Sequence, residues 1–174
     1  AGTFVHLHPA SRWLFKCWPV AANAALIDRL ADAGWPVIVT AAPDPKEREM
    51  VERIVAACRG PVVSWAGELS LKEMAALTAR ARLFVGVDSA PMHIAAAVGT
   101  PAVALFGPSS PVDWGPWQVA HRVVTSDQHP CRPCGLDGCG GGKRSDCLDS
   151  LSVETVWRAA ASLLAEPPAP AGPA

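Results

Sequence analysis

The sequence predicts an α/β fold: a parallel sheet covered by helices on both faces. Three observations lead there. Short apolar runs alternate with stretches whose apolar residues recur at helical spacing, the order that makes βαβ units with right-handed crossovers. The run at residues 83–87 is apolar throughout, as a strand buried on both faces is. Half of the 174 residues are hydrophobic and 18% are charged, which supports a core for one domain of ordinary size.

The elements follow in order. Residues 4–7 read as a first strand. Pro19 suits the first position of a helix that carries Ala22, Leu26, Ile27 and Leu30 and stops at Gly34. Residues 37–40 form a second strand. Asp44-Pro45-Lys46-Glu47 reads as a capping box opening a helix with a stripe of Met50, Val51, Ile54, Val55 and Cys58, ended by Gly60. A third strand fits residues 61–64. Ser70-Leu71-Lys72-Glu73 is a second capping box, with Leu69 placed to staple onto Met74. The strand at residues 83–87 leads into a helix opened by Asp88-Ser89-Ala90-Pro91. Residues 101–106 and 121–125 complete the strands, and a last helix starts at Ser152. The domain is expected over residues 1–166, with a Cys-rich insertion at about 127–149 and a loose Pro/Ala tail at 167–174.

Charge narrows the function. Fifteen Lys and Arg balance 16 Asp and Glu for a net charge of -1, which argues against a nucleic-acid binder. No apolar run approaches the length of a membrane-spanning helix. The first residues, AGTFVHLHPASRW, lack the basic-then-apolar order of a secretory signal, so a cytoplasmic protein with reduced thiols is expected.

Parallel sheets bind ligands beyond the carboxyl ends of their strands. The polar residues that interrupt the apolar runs fall at those ends. Asp88 follows a strand, and the first-turn N–H groups of the next helix offer a seat for phosphate, with Ser89, Ala90 and His93 beside it. The competing reading is that Asp88 or Ser89 only caps that helix and His93 packs in the core. After the first strand, Ser11, Arg12 and Lys16 bring a hydroxyl and two positive charges, which can stabilise a leaving diphosphate without a metal. Trp13 and Trp18 point to an ordered segment there. Gly107 allows a close backbone approach and Ser109 can hydrogen-bond phosphate, although alone this loop reads as an ordinary turn. Asp44 and Glu47 suit the capping box, and either can reach a sugar hydroxyl. No GxGxxG or Walker lysine motif is present.

Four of the six cysteines, Cys131, Cys134, Cys139 and Cys147, lie within 17 residues. Their number suffices for tetrahedral zinc, yet the CxxC spacing of the first pair does not repeat, so a structural zinc is the less favoured reading. Cys17 and Cys58 stand alone and read as structural.

His8-Pro9-Ala10-Ser11-Arg12 with Lys16-Cys17-Trp18-Pro19, then Val87 to His93, then residues 104–109, together resemble glycosyltransferase family 9, the lipopolysaccharide heptosyltransferases. SRWLFKCW and CRPCGLDGC are most similar to the branch that adds the third inner-core heptose. The resemblance implies the Rossmann-like, C-terminal half of a GT-B fold, which binds ADP-heptose for an inverting, metal-free transfer. It implies Ser11 on the diphosphate, Lys16 on phosphates and sugar, and Asp88 on heptose hydroxyls, with Ser89, Ala90 and His93 flanking the diphosphate. The family's acidic residue after the second strand corresponds to Asp44 or Glu47. Ala10 stands where relatives often carry a second hydroxyl. The general base and the core acceptor belong to an N-terminal domain outside these residues, so this chain alone is expected to transfer nothing. Attachment to the inner face of the inner membrane stays open, and the alternatives are another nucleotide sugar or a zinc-stabilised binding module.

Overall fold

The computed structural model describes residues 3–167. Six strands form one parallel sheet: β1 (Val5–His8), β2 (Val37–Ala41), β3 (Val63–Ala66), β4 (Leu83–Val87), β5 (Ala102–Leu105) and β6 (His121–Val124). Their spatial order is β3-β2-β1-β4-β5-β6. The chain builds outward from β1 to β3, then crosses to the other side of β1 and builds outward again. At that reversal Val5 pairs with Val37 on one side and Leu83 on the other. Loops leave β1 and β4 in opposite directions there, which opens a crevice at their carboxyl ends.

The period-two alternation of the strands sorts their side chains into two layers. Val5, Leu7, Val39, Val85, Val103 and Leu105 pack against α1 (Val20–Asp32), α2 (Pro45–Ala57) and α7 (Val153–Ala165) in one large apolar cluster. Trp18 is wholly inside it, and its Nε1–H donates to the Leu151 carbonyl at 3.0 Å. A buried side chain of this kind contributes about 1.5–3 kcal/mol, and here it anchors the β1–α1 segment to the start of α7. The opposite face lies under α3 (Leu71–Arg80) and α4 (Ala90–Ala97). Its apolar cluster is smaller, built on Phe84, Met92, Ala95, Ala102, Ala104 and Phe106. Toward β1 and β2 the same face turns polar, with His6, Thr40 and Thr78 almost completely buried.

Most boundaries fall within a residue or two of the expected ones, and the departures have physical reasons. The third strand lies at Val63–Ala66, two residues beyond the expected 61–64. Pro61 has no N–H to donate and β3 is an edge strand paired only with β2, so the pairing starts later. Ser70 and Glu73 make the complete capping box: the Ser70 hydroxyl accepts from the Glu73 N–H, and the Glu73 carboxylate accepts from the Ser70 N–H. The box at Asp44 is only half made. Asp44 accepts from the N–H groups of Lys46 and Glu47, but the Glu47 carboxylate accepts from Ala42 instead of closing the box.

The Cys-rich segment folds back over the β5 end of the sheet. After the short α5 (Pro111–Trp114) and β6, it contains a 3₁₀ turn at Cys139–Gly141 and α6 (Asp146–Asp149), and it buries Cys147 and Leu148. The tail expected from residue 167 onward lies, apart from Pro167, outside the described residues.

Candidate functional site

A cavity of about 620 Å³ opens where the strand order reverses, lined from β1, the loops after β1, β2 and β4, and the start of α3. Ser11, Arg12 and Lys16 enter from the β1 loop, Asp88 to Pro91 and His93 from the β4 loop, and Glu47 from α2. Leu69, Leu71, Met74, Ala42 and Pro43 give it an apolar wall.

Its most definite contact joins residues 72 positions apart: the Lys16 ammonium donates to Asp88 Oδ2 at 2.6 Å. Asp88 is almost fully buried and Lys16 about a quarter exposed, so the carboxylate is held in place while the ammonium keeps donors free for a ligand. A 3₁₀ turn at Leu14–Lys16 puts Lys16 there, its N–H bonded to the Trp13 carbonyl. Ser11 is buried; its hydroxyl accepts from the Trp13 N–H at 3.3 Å, which leaves its own proton to donate. The Arg12 guanidinium lies 5.5 Å from the centre of the Trp13 ring, on the exposed side.

The reading of Asp88 and Ser89 as mere helix caps fails on geometry. No side chain caps α4: Asp88 is turned to Lys16, and the Ser89 hydroxyl makes only a 3.4 Å bond back to the Val87 carbonyl. The N-terminus of α4 therefore presents the Ala90 N–H and the positive end of its dipole beside Lys16, Pro91 having no N–H and the Met92 N–H being bonded to the Ser89 carbonyl. His93 is exposed on the cavity rim and is not a core residue.

Seven of the ten residues expected in the site, Ser11, Arg12, Lys16, Asp88, Ser89, Ala90 and His93, line this one cavity. Three do not. Asp44 is exposed and spent on capping α2, whereas Glu47, one turn on, is buried and reaches the lining. Burial pushes the Glu47 carboxyl up from its usual value, against the Ala42 N–H that favours the charged form. Gly107 is covered by the Cys-rich segment: its carbonyl accepts from Arg132 Nε at 2.7 Å, and a side chain there would meet Leu148 at 2.6 Å. The space beside Gly107 is thus taken by Leu148, away from the cavity. Ser109 lies outside the cavity, with its Oγ buried and unpartnered.

Sequence reasoning missed the polar floor. His8 and Thr40 line the cavity, and behind them His6, Thr40 and Thr78 form a buried hydrogen-bonded chain. The signal was present as His-x-His in a strand, a spacing that puts both imidazoles on one face of the sheet. Burial lowers His6 to about 3, with help from His8, and lowers His8 to about 4, so both are neutral at pH 7. Glu47, whose Oε2 lies 3.9 Å from His8 Nε2, is therefore no ion-pair partner to it.

Cys17 and Cys58 offer no nucleophile. Burial pushes Cys17 up to about 12, and Cys58 is raised by the same cause. None of the six cysteines is in a disulfide, and among the described residues no three His, Cys, Asp or Glu side chains are grouped to hold a metal ion.

The family model described as glycosyltransferase family 9 (heptosyltransferase) matches residues 2–142. The chain is 44% identical over 115 residues to lipopolysaccharide heptosyltransferase 3 of Escherichia coli, a match covering 66% of this chain and 34% of that protein. With lipopolysaccharide heptosyltransferase 1 of Pseudomonas aeruginosa it shares 36% over 130 residues, 75% of this chain and 35% of the relative. The structure of an Escherichia coli ADP-heptose lipopolysaccharide heptosyltransferase II superposes with a TM-score of 0.77 at 28% identity, over 94% of this chain and 46% of that one. The chain spans about a third of the length of these curated relatives.

Proposed function

This chain belongs to glycosyltransferase family 9, and we propose that it is the donor-binding part of a heptosyltransferase that acts on the lipopolysaccharide core, with ADP-heptose as its donor. The observation that carries this reading is the Lys16–Asp88 pair at the mouth of the switch-point crevice, beside a helix N-terminus that no side chain caps.

Each group has a task in that reading. The diphosphate lies against the first turn of α4, where Ser11, Lys16 and the N–H groups beside Ser89 and Ala90 donate to it, with Arg12 and His93 at the rim. Asp88, held by Lys16, accepts from sugar hydroxyls. As the bond to the anomeric carbon breaks, negative charge grows on ADP, and Lys16, Arg12 and the dipole of α4 stabilise it without a metal. The apolar wall at Leu69, Leu71 and Met74 suits the face of a base. Glu47 takes the place that the resemblance left between itself and Asp44, on a ribose hydroxyl.

Inversion at the anomeric centre needs a base on the opposite side of the sugar from the leaving ADP. The base and the acceptor site are assigned to the part of the enzyme outside these residues. Among the described residues no helix is long and apolar enough to cross a membrane. A cytoplasmic enzyme meeting its lipid-linked acceptor at the inner face of the inner membrane is the matching location.

Calorimetric titration with ADP, ADP-sugars and UDP-sugars tests the reading. Adenine nucleotides bind preferentially, and Lys16→Ala or Asp88→Ala weakens that binding. A chain that binds no nucleotide but holds stoichiometric zinc would instead be the zinc-stabilised module.

A further inference from the structure

The buried chain behind the cavity has a direction, and the direction fixes what His8 shows to a ligand. It can be followed from its far end. The Thr78 hydroxyl donates its one proton to the Met74 carbonyl at 2.7 Å. Toward His6 Nδ1, 3.0 Å away, Thr78 can then only accept, so the His6 proton sits on Nδ1. His6 Nε2 is left with a lone pair and accepts the Thr40 proton at 2.7 Å. With its proton used, Thr40 accepts from His8 Nδ1 at 2.8 Å. His8 therefore carries its proton on Nδ1, and His8 Nε2 is a bare acceptor.

That acceptor borders the cavity, 3.9 Å from Glu47 Oε2, which is itself an acceptor engaged with the Ala42 N–H at 3.2 Å. Two acceptors at that separation cannot bond to each other, and both are buried. His8 Nε2 faces the cavity with no donor of its own, and Glu47 Oε2 has only the Ala42 N–H, so both have lone pairs open to donors that a ligand brings.

We propose that His8 is a specificity-determining residue: His8 Nε2 and Glu47 together accept hydrogen bonds from the vicinal hydroxyls of a nucleotide's ribose, and Thr78, His6 and Thr40 are positioning residues that lock His8 in this tautomer. The proposal rests on the donor-site reading of the cavity for its ligand, but the tautomer does not. Neutral imidazoles, which burial enforces here, are what the chain requires.

Two measurements test it on the 174-residue chain. Nitrogen-15 NMR of the ligand-free protein reads the tautomer: His8 is protonated on Nδ1, and Thr78→Val shifts the His8 ring resonances although Thr78 does not line the cavity. A His8 protonated on Nε2, or one indifferent to Thr78→Val, overturns the relay and the proposal. Titration then compares ADP with dideoxyadenosine diphosphate, which lacks both ribose hydroxyls. The wild-type chain prefers ADP by about 10- to 100-fold, and in His8→Phe that preference shrinks by about tenfold, the size of one lost hydrogen bond. An unchanged preference in a folded His8→Phe overturns the proposal alone. Failure of ADP and UDP alike to bind overturns the donor-site reading together with the ligand half of this one, while the NMR result stands by itself.

Discussion

Neighbouring strands β4 and β5 end at the same edge of the sheet, in loops that look equally suited to a phosphate, yet one opens on a cavity and the other is covered. After β4, Asp88 is tied to Lys16 and the first turn of α4 is left uncapped. After β5, Gly107 is pressed by Leu148, its carbonyl is taken by Arg132, and the Pro108 carbonyl is taken by the Gly135 N–H. The difference comes from a segment far along the chain. Residues 127–149 fold back onto the β5 loop and leave the β4 loop alone. A polar residue at a strand end marks a position where a ligand can sit; whether anything else already occupies it is decided by distant packing.

The open half rests on neutral buried histidines and the covered half on Leu148, so the two should part sharply with pH. His6 and His8 have folded values of about 3 and about 4 against an ordinary 6.5. Between those limits the unfolded chain binds more protons than the folded one, so the unfolding free energy falls as pH drops below 6.5 and is steady above it. Each histidine contributes about 1.4 kcal/mol per pH unit over that window. Glu47, raised by burial, works in the opposite sense and offsets part of the loss. Urea unfolding from pH 7 to 5 measures the slope, and His8→Gln should lower it by about one proton. An unaltered slope would show that the floor of the cavity is not held neutral.

Lys16→Ala acts on the open loop. It removes a charged donor and weakens ADP binding by about 10- to 100-fold; a calorimetric affinity within twofold of wild type would break the comparison. Gly107→Ala acts on the covered loop. The new methyl would lie 2.6 Å from Leu148 Cδ1 and 2.8 Å from its Cγ, and overpacking of this kind costs about 1–3 kcal/mol. Denaturant unfolding should show that cost with ADP affinity unchanged. A loss of affinity at intact stability would return Gly107 to the site.

Two serines sharpen the point at smaller scale. Ser70 makes a full capping box, and Ser70→Ala should cost about 1 kcal/mol. Ser89 occupies the same place before α4 without capping it, so Ser89→Ala should cost less than about 0.5 kcal/mol of stability. Equal losses in thermal melts would mean that Ser89 belongs to the helix and not to the cavity.

Much of this was legible before the fold was known. The apolar runs at residues 83–87 and 37–40 and the Ser70 box identify their elements because local chemistry alone makes them. The edge that gathers Ser11, Lys16, Asp88 and His93 was legible because βαβ topology dictates which ends of the strands converge. The choice between Asp44 and Glu47 was not: both fit a capping box by spacing, and only the position of the Ala42 N–H shows that the Glu47 carboxylate turns inward. The hydrogen-bonded floor was half visible in the His-x-His of β1, but its partners Thr40 and Thr78 come from other elements whose neighbourhood the strand order sets. The covering of Gly107 depends on contacts between residues about 25 and 40 positions apart, and no local pattern announces such contacts.

The most direct test of the account is a crystal structure of this chain grown with ADP. The account predicts the diphosphate on the first turn of α4, with Lys16 within hydrogen-bond reach of a phosphate oxygen and the adenine against Leu69, Leu71 and Met74. ADP seated over the β5 loop at Gly107, or absent from the crevice at saturating concentration, would contradict it.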